Sequence, residues 1–410
     1  MEAELRNEFE LKAAELKAAR ESLRDVPGEK RCAVLMDAFP EDVEDFWNAP
    51  LEVARGLAEA WNKHVGKRVA IPDDVAQAMQ KDLPLDNPRA ALLRFYTPTF
   101  TVGGTVAHET EERLFFEMKD GVPSPDALVE SLHVLPYLFY TLPVGHPTRQ
   151  KISKYYSELK KVIFDSDFLL PTSTQFDHVG YPSAVTARLG RLGADQTFNG
   201  VTYFDDGFLV LVPAQWGLAA AIRPAQLLAG KTSEHIVPKN REAVALQVFV
   251  QMDGLVERAE KSAIPDGGYE ANPLHSAPET VAQVQKELDV SEDSAIAFLQ
   301  TLAMPNPSTK QVRQWNGWSA SAYKKAFEPL VEKGLLIDAK RARTGRTFFL
   351  DGPWLEFKSP HFPMEAWKES LMPQMAADVC QVNYPVSAPH ELFEQAWTRW
   401  SSGDKPGFTK

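Results

Sequence analysis

The sequence predicts a multidomain protein that is mainly α-helical and has an α+β middle region. Apolar residues recur at spacings of three and four in several stretches, as they do on the buried face of a helix. Between residues 91 and 262, β-branched and aromatic runs alternate with turn residues, which is typical of strands and hairpins. The chain has 410 residues, 44% hydrophobic and 24% charged, which is enough for several hydrophobic cores.

The N-terminal region, residues 1–90, is predicted to be helical and acidic. Residues 1–25 predict one helix whose apolar positions have a heptad-like spacing (Leu5, Phe9, Leu16, Ala19 and Leu23), interrupted by Lys12. Packing on its own protein is favoured over an intermolecular coiled coil, because fewer than four heptads are present. Over the first sixty residues, fifteen acids face eight Lys and Arg. Such a surface suits a basic partner or simply solvent.

The middle region, residues 91–262, is predicted to be a mixed α/β domain. Phe95–Val102 has the composition of a strand, and Ser124-Pro125-Asp126 is a strong helix start. Residues 152–163 and 242–259 each predict an amphipathic helix, and Asp205-Asp206-Gly207 predicts a hairpin turn. Residues 263–277 are rich in Pro, Gly, Ser and Asn and are predicted to be a linker.

Residues 308–350 carry the most informative pattern in the chain. Ser308 can cap a helix that ends at Asn316-Gly317, residues that tolerate a left-handed turn. Ser319 can cap a second helix, which Gly334 ends. The next residues predict a β-hairpin, with strands 335–337 and 347–350 and a tip, 340–346, that carries four cations.

This order of elements resembles the winged-helix superfamily, and the matching domain is predicted to span residues 278–360, with an extension at 361–410. The resemblance implies a winged helix-turn-helix whose second helix enters the major groove of duplex DNA while the hairpin, the wing, touches backbone or minor groove. The predicted DNA contacts lie at the start of the second helix and on the wing: Ser319, Ser321, Lys324, Lys325, Arg341, Arg343 and Arg346.

The charge of this region supports a DNA contact. Between Thr309 and Thr347, nine Lys and Arg face three acids, a net charge of +6 in a chain whose net charge is −12. A basic island in an acidic protein is expected where phosphates must be neutralised locally. The alternative is a winged helix that binds a protein, with its cations paired to acids or solvated.

A second resemblance concerns short stretches only, residues 142–147, 302–307, 315–318 and 340–343. These are similar to a group of uncharacterised bacterial proteins encoded beside MoxR-type ATPases and von Willebrand A domain proteins. The resemblance implies an accessory subunit of a bacterial ATPase system that acts in stress or genome defence. It brings no catalytic residues.

The motifs of common enzyme classes are absent, so we predict no catalytic residue, no cofactor and no metal. There is no GxxxxGK[ST], GxGxxG, GxSxG or HExxH sequence. His108 and Glu112, one turn apart on a helix, are the nearest approach to a metal site, but no third ligand is nominated. A solvated acidic segment is the favoured interpretation.

The compartment is predicted from the cysteines and from hydropathy. Cys32 and Cys380 are two lone thiols, which suits a reducing compartment. No run of eighteen apolar residues occurs, so we expect a cytoplasmic protein with no membrane partner.

Two functions follow. The first is a DNA-binding accessory or regulatory protein whose acidic N-terminal region contacts a partner protein, for which the second resemblance implies a MoxR-type ATPase. The alternative is a protein-interaction adaptor of such a complex, whose winged helix binds protein rather than DNA.

Overall fold

The computed structural model of the chain describes most of its residues, and these form two compact units. The described residues are 26, 28–40, 42–66, 71–98, 100, 106–110, 113–117, 123–166, 168–172, 196–198, 201–214, 217–231, 240–377 and 379–408. The first unit comprises those within 1–77 and 87–97, and the second comprises those within 78–86 and 98–410. The predicted opening helix, residues 1–25, lies outside the described residues.

The first unit is helical in its described part. Its helices are α1 (Gly28–Ala38), α2 (Asp45–Asn48), α3 (Pro50–His64), the first half of α4 (Asp73–Asp82) and α5 (Pro88–Tyr96). Helices α1 and α3 pack together around a small core in which Val34, Ala38 and Ala60 are buried.

Helix α5 includes the first two residues of the strand predicted at Phe95–Val102, of which residues 99, 101 and 102 lie outside the described residues. Asn87 accepts a hydrogen bond from the Ala90 amide, and Pro88 occupies the first turn, so a strong helix start precedes the aromatic run. Phe95 and Tyr96 are therefore helical. Phe95 and Leu92 fill the buried face of α5, which decides the conformation against strand propensity.

The middle of the chain is mixed α and β, as predicted. Its elements are β1 (Val106–Thr110), β2 (Arg113–Glu117), α6 (Pro125–Thr141), α7 (Ile152–Ile163), β3 (Leu170–Pro171), β4 (Gln196–Phe198), β5 (Val201–Asp205), β6 (Leu209–Ala214), β7 (Gly217–Ile222), α8 (Pro224–Leu228), α9 (Arg241–Gln251) and α10 (Asp253–Glu260). Strands β1 and β2 form a hairpin, and a second antiparallel sheet has the order β3-β7-β6-β5-β4. His108 lies in strand β1 and not on a helix, and Glu112 lies outside the described residues.

Several local predictions in this region are confirmed. Ser124 caps α6 by accepting from the Ala127 amide, and Gly207 turns the β5–β6 hairpin at φ +90°. The apolar residues that predicted α7 are all buried: Ile152, Tyr155, Tyr156, Leu159, Val162 and Ile163. The predicted helix 242–259 is instead two helices, because the chain bends at Met252 and Asp253 begins α10.

The C-terminal part is built around one buried helix. Its elements are α11 (Pro273–Ser276), α12 (Pro278–Leu288), α13 (Glu292–Ala303), α14 (Thr309–Asn316), α15 (Ala320–Glu332), β8 (Ile337–Asp338), β9 (Phe348–Phe349), β10 (Trp354–Leu355), β11 (Met364–Glu365), α16 (Pro373–Ala376) and α17 (Pro389–Ser401). Helix α13 is buried from Ser294 to Ala303 and packs against α12, α15 and α17. Strand β8 pairs with β9, and β10 pairs with β11.

Residues 263–277, predicted to be a linker, are exposed at 265–267 but buried at 270–273 and 276–277. The carboxylate of Glu270 is buried and accepts from Arg149 Nη2 at 3.2 Å, Arg258 Nε at 3.1 Å and Ser262 Oγ at 2.7 Å. Such a network ties the segment to helix α10 and to the residues between α6 and α7. Within the described residues, no helix is both long and apolar enough to cross a bilayer.

Candidate functional site

Helices α14 and α15 begin and end where their sequence predicts. Ser308 and Gln311 form a reciprocal capping box at the start of α14, and Gly317 ends it with φ +65°. Ser319 caps α15 by accepting from the Ala322 amide at 3.1 Å, and Gly334 follows the helix at φ +68°. The turn between the two helices is therefore defined by local hydrogen bonds.

Aromatic packing positions α15 against the hairpin formed by β8 and β9. Phe327 stacks on Phe348 of β9, with ring centroids 4.8 Å apart and planes at 13°. Tyr323 contacts both rings, and its hydroxyl accepts from Thr309 Oγ1 at 3.2 Å, which joins α15 to the start of α14. These contacts bury one side of α15 and leave the opposite side to solvent.

The exposed side of α15 brings together four of the predicted contact residues. Ser319, Ser321, Lys324 and Lys325 all lie within its N-terminal cap and first two turns, and all are exposed. The Ser319 oxygen is engaged by the cap, whereas its hydroxyl hydrogen is available to an acceptor. The amides of the first helical turn add a partial positive charge to that of the two lysines.

A cleft of about 560 Å³ lies between α14, α15 and the hairpin. Arg313 and Lys324 line it beside the start of α15, while Glu328, Glu332 and Asp338 line it further along. From Lys324 to Glu332 the helix rises by about 12 Å. The positive character of this face is therefore confined to the N-terminal half of α15, which the count of charges along the sequence does not reveal.

Two of the three predicted wing arginines are exposed or half-buried, but their guanidinium groups contact the protein itself. Arg341 lies over the rings of Trp354 and Phe349, 4.5 and 5.2 Å from their centroids. Arg343 has φ +62° and donates to the carbonyl oxygens of Phe357 at 2.5 Å and His361 at 2.6 Å. Both side chains hold the hairpin loop onto the residues that follow it.

Arg346 was expected to be an exposed cation of the wing, but its side chain is buried, with 6% of its surface exposed. Its guanidinium donates to Asn306 Oδ1 at 3.1 Å, to the Phe348 carbonyl at 3.1 Å and to Glu365 Oε2 at 3.0 Å. A buried charge must be paired and hydrogen-bonded, and these partners satisfy it. Arg346 is therefore a core residue of the hairpin.

Sequence reasoning missed the charged partner of Arg346, Glu365, which lies beyond the predicted domain. Glu365 also accepts from Lys368 Nζ at 2.8 Å, and Lys368 donates to the Met304 carbonyl at 2.6 Å. Burial raises the pKa of Glu365, but the charges and hydrogen bonds of Arg346 and Lys368 outweigh it and lower that pKa to about 2. Burial lowers the pKa of Lys368 to about 8, against the opposing charge of Glu365. In the sequence, the only local sign of this cluster is that Glu365 and Lys368 lie three residues apart in an apolar stretch.

Other chemistry-bearing residues do not assemble in the described parts of the chain. No group of three His, Cys, Asp or Glu side chains there is placed to hold a metal ion. Cys32 is exposed, and Cys380 is half-buried, with its thiol donating to the Arg241 carbonyl at 3.2 Å. Burial raises the pKa of Cys380 to about 11, which suppresses the nucleophilic thiolate.

Comparison with known proteins gives no family assignment. No protein-family model matches the chain, and neither a curated protein nor a solved structure does. The winged-helix and MoxR-associated resemblances therefore stay predictions, and function is inferred from the geometry of residues 308–368.

Proposed function

We propose that the chain is a DNA-binding accessory protein whose winged helix-turn-helix, near residues 278–360, contacts duplex DNA through the start of α15. The observation that carries this proposal is the joint exposure of Ser319, Ser321, Lys324 and Lys325 at the N-terminal end of a helix that follows a tight turn. In helix-turn-helix proteins this end of the second helix meets base edges. Hydroxyl and ammonium groups there suit bases and phosphates respectively.

The proposed DNA contact covers only a small part of the surface, the start of α15 and the hairpin tip. Glu328 and Glu332 would repel phosphates along the C-terminal half of α15. The cations proposed to contact phosphates are Lys324 and Lys325 on the first turns of α15, Lys340 at the hairpin tip and Arg313 at the cleft. Four phosphate contacts predict a slope of log K against log salt of about −3.6.

The role proposed for the wing differs from the expectation drawn from sequence. Arg341 and Arg343 contact rings and carbonyl groups of the protein, and Arg346 is buried. We assign all three to holding the hairpin in place, with Lys340 left at its exposed tip. Substituting the three arginines together would disrupt the hairpin, so such a variant does not test DNA contact.

The test is fluorescence anisotropy of a labelled duplex titrated with the full chain across a salt series. Lys324→Gln/Lys325→Gln removes two proposed phosphate contacts, so the slope should become shallower by about 2. The matched control is Lys286→Gln/Lys358→Gln, which removes the same charge from two exposed lysines outside α15 and the hairpin. No binding at the lowest salt, or an equal loss in the control, would refute the proposal.

The second candidate function is the protein-interaction adaptor, and the mixed charge of the cleft favours it. Glu328, Glu332 and Asp338 face Arg313 and Lys324 there, an arrangement that suits a peptide carrying both signs of charge better than a polyanion. In either function, the acidic N-terminal region is proposed to contact a protein subunit, for which the resemblance implies a MoxR-type ATPase. Stable co-elution of that ATPase with a chain that does not bind DNA would favour the adaptor.

A further inference from the structure

The described part of the N-terminal unit exposes a group of large apolar side chains, here called the 35–51 surface. Its members and their exposed fractions are Leu35 50%, Met36 81%, Phe39 55%, Val43 63%, Trp47 71% and Leu51 81%. Elsewhere in the described residues, only Leu228 and Phe408 are large apolar side chains of comparable exposure. Scattered exposed apolar residues are ordinary, whereas six within one short stretch mark an interaction site.

This exposure does not come from a missing core. Helix α1 already buries Val34 and Ala38 against Ala60 of α3. Met36 is two residues from Val34 and so points about 200° away from it around the helix. Phe39, after the end of α1, contacts Phe46 of α2 edge-to-face, with ring centroids 5.0 Å apart. This contact joins the part of the 35–51 surface on α1 to the part on α2.

Acids predominate around the 35–51 surface in sequence, although the exposed cations Arg31 and Arg55 lie four residues before Leu35 and four residues after Leu51. From residue 37 to residue 54 there is no Lys or Arg, and the charged residues are Asp37, Glu41, Asp42, Glu44, Asp45 and Glu52. Asp37 is paired with Lys63 and His64 of α3. Glu44, Asp45 and Glu52 are exposed, and no described residue forms an ion pair with them. Between residues 37 and 54 the rim of the surface is therefore negative, and its carboxylates are available to a cationic partner.

We propose that the 35–51 surface docks an amphipathic helix of a partner protein, with apolar residues on the docking face and Lys or Arg beside it. The inference rests on the proposed contact between the acidic N-terminal region and a protein subunit, and it gives that subunit a chemistry. Exposed Met, Phe and Trp side chains are typical of surfaces that receive helices. Trp47 is the natural anchor, because tryptophan dominates binding energy at interfaces.

Charge disfavours two other occupants of the 35–51 surface. A second copy of the 35–51 surface would place its acids against acids, which disfavours association. Residues 1–25 contain seven acids and five Lys or Arg, a net charge of −2, so this segment does not complement the rim either. A basic helix satisfies both the apolar side chains and the carboxylates.

The test uses the full chain and a labelled synthetic helix with Leu and Phe on one face and Lys on the other. The matched probe carries Glu in place of every Lys. We expect the basic peptide to bind and the acidic one not to bind in fluorescence anisotropy. Trp47→Ser/Leu51→Ser should weaken binding by about thirtyfold. The control Leu228→Ser/Phe408→Ser, which removes two other exposed apolar side chains, should leave affinity unchanged.

A second variant isolates the charges. Glu44→Gln/Asp45→Asn/Glu52→Gln should weaken the basic peptide and flatten its salt dependence, whereas Glu279→Gln/Glu287→Gln on α12 should not. Equal affinity for the acidic and basic peptides, or full affinity in the Trp47 variant, would overturn the proposal. Concentration-dependent dimerisation in sedimentation that the Trp47 variant abolishes would also overturn it, in favour of a second copy.

Duplex binding of the same variants separates this inference from the proposed function. If the Trp47 variant loses peptide binding but retains duplex binding, the 35–51 surface is supported as an independent site. Absence of duplex binding with specific peptide binding intact removes only the function proposed for α15.

Discussion

Replacing Glu365 by glutamine tests whether a charge cluster fastens the hairpin to the rest of the fold. The carboxylate accepts from Arg346 Nη2 at 3.0 Å, from Lys368 Nζ at 2.8 Å and from the Leu350 amide at 3.3 Å. All three side chains of the cluster are buried. Glutamine keeps the size and one acceptor oxygen but removes the charge, so two buried cations lose their counter-charge.

The expected cost follows from what those cations retain. Breaking a buried ion pair from one side costs about 3–5 kcal/mol, because the remaining charge is uncompensated. Carbonyl and amide oxygens from Met304, Phe348 and Asn306 still accept from Lys368 and Arg346. We therefore expect the lower end, about 3 kcal/mol, which corresponds to a fall in Tm of about 5 °C for a unit of roughly 300 residues.

Thermal melting of the full chain, followed by circular dichroism, measures the effect. The control is Glu369→Gln, an exposed acid on the short 3-10 turn Ala366–Leu371 that follows Glu365. It should shift the free energy of unfolding by less than about 0.5 kcal/mol. Adding Lys368→Met to Glu365→Gln should recover part of the loss, because it removes one stranded cation. A fall in Tm no larger than that of the control would refute the reasoning.

The difference in Tm between the wild type and Glu365→Gln should depend on pH, and the direction follows from the pKa of Glu365. The pKa of Glu365 is lowered from 4.5 to about 2 in the fold. Its stabilisation is therefore complete above pH 4.5 and is lost as the pH falls toward 2. The difference in Tm between the wild type and Glu365→Gln should narrow from pH 5 to pH 3.

Three further predictions concern the second unit. Burial lowers the pKa of His133 to about 4, so the wild type should lose about 3 kcal/mol of stability between pH 6.5 and pH 4, and urea unfolding of His133→Leu should show a flatter dependence. Glu270→Gln removes the carboxylate that pairs with Arg149 and Arg258 and so destabilises the fold around them. Trypsin digestion of the full chain should therefore become several-fold faster. At Gly145, φ is +84° and a Cβ atom would lie 2.8 Å from the Asp266 carboxylate. Gly145→Ala should therefore lower Tm more than Gly207→Ala, where φ is +90° and the space is open.

Local signals were the part of the fold that the sequence predicts well. The caps Ser308 and Ser319 and the left-handed residue Gly317 act through hydrogen bonds and backbone angles within a few residues, so short-range reasoning is sufficient. The six apolar positions of α7 were equally predictable, because burial of one helical face leaves a periodic trace.

Long-range pairing was the part that could not be predicted. Arg346 reads as an exposed wing cation, and only the fold brings Glu365 to it across nineteen positions of the chain. At Phe95 and Tyr96 the predicted strand is replaced by helix α5, because the helix start at Asn87-Pro88 and the burial of Phe95 outweigh the β propensity of a few aromatic residues. For the candidate site, the sequence identified both the lysines of α15 and the three acids, but it did not show that Glu328, Glu332 and Asp338 line one cleft with Lys324.

The packing of residues 271 and 272 has a consequence for how this protein comes apart. Asn272 Nδ2 donates to the Trp315 carbonyl at 3.3 Å, and Gln300 Nε2 donates to the Ala271 carbonyl at 2.8 Å. The end of α14 is thus hydrogen-bonded to the segment whose composition suggested a linker. Residues 270–273 are buried and give a protease no access there, so helices α12 to α15 should melt together with their flanks as one cooperative block. We therefore expect that a fragment limited to α14 and α15 does not fold by itself.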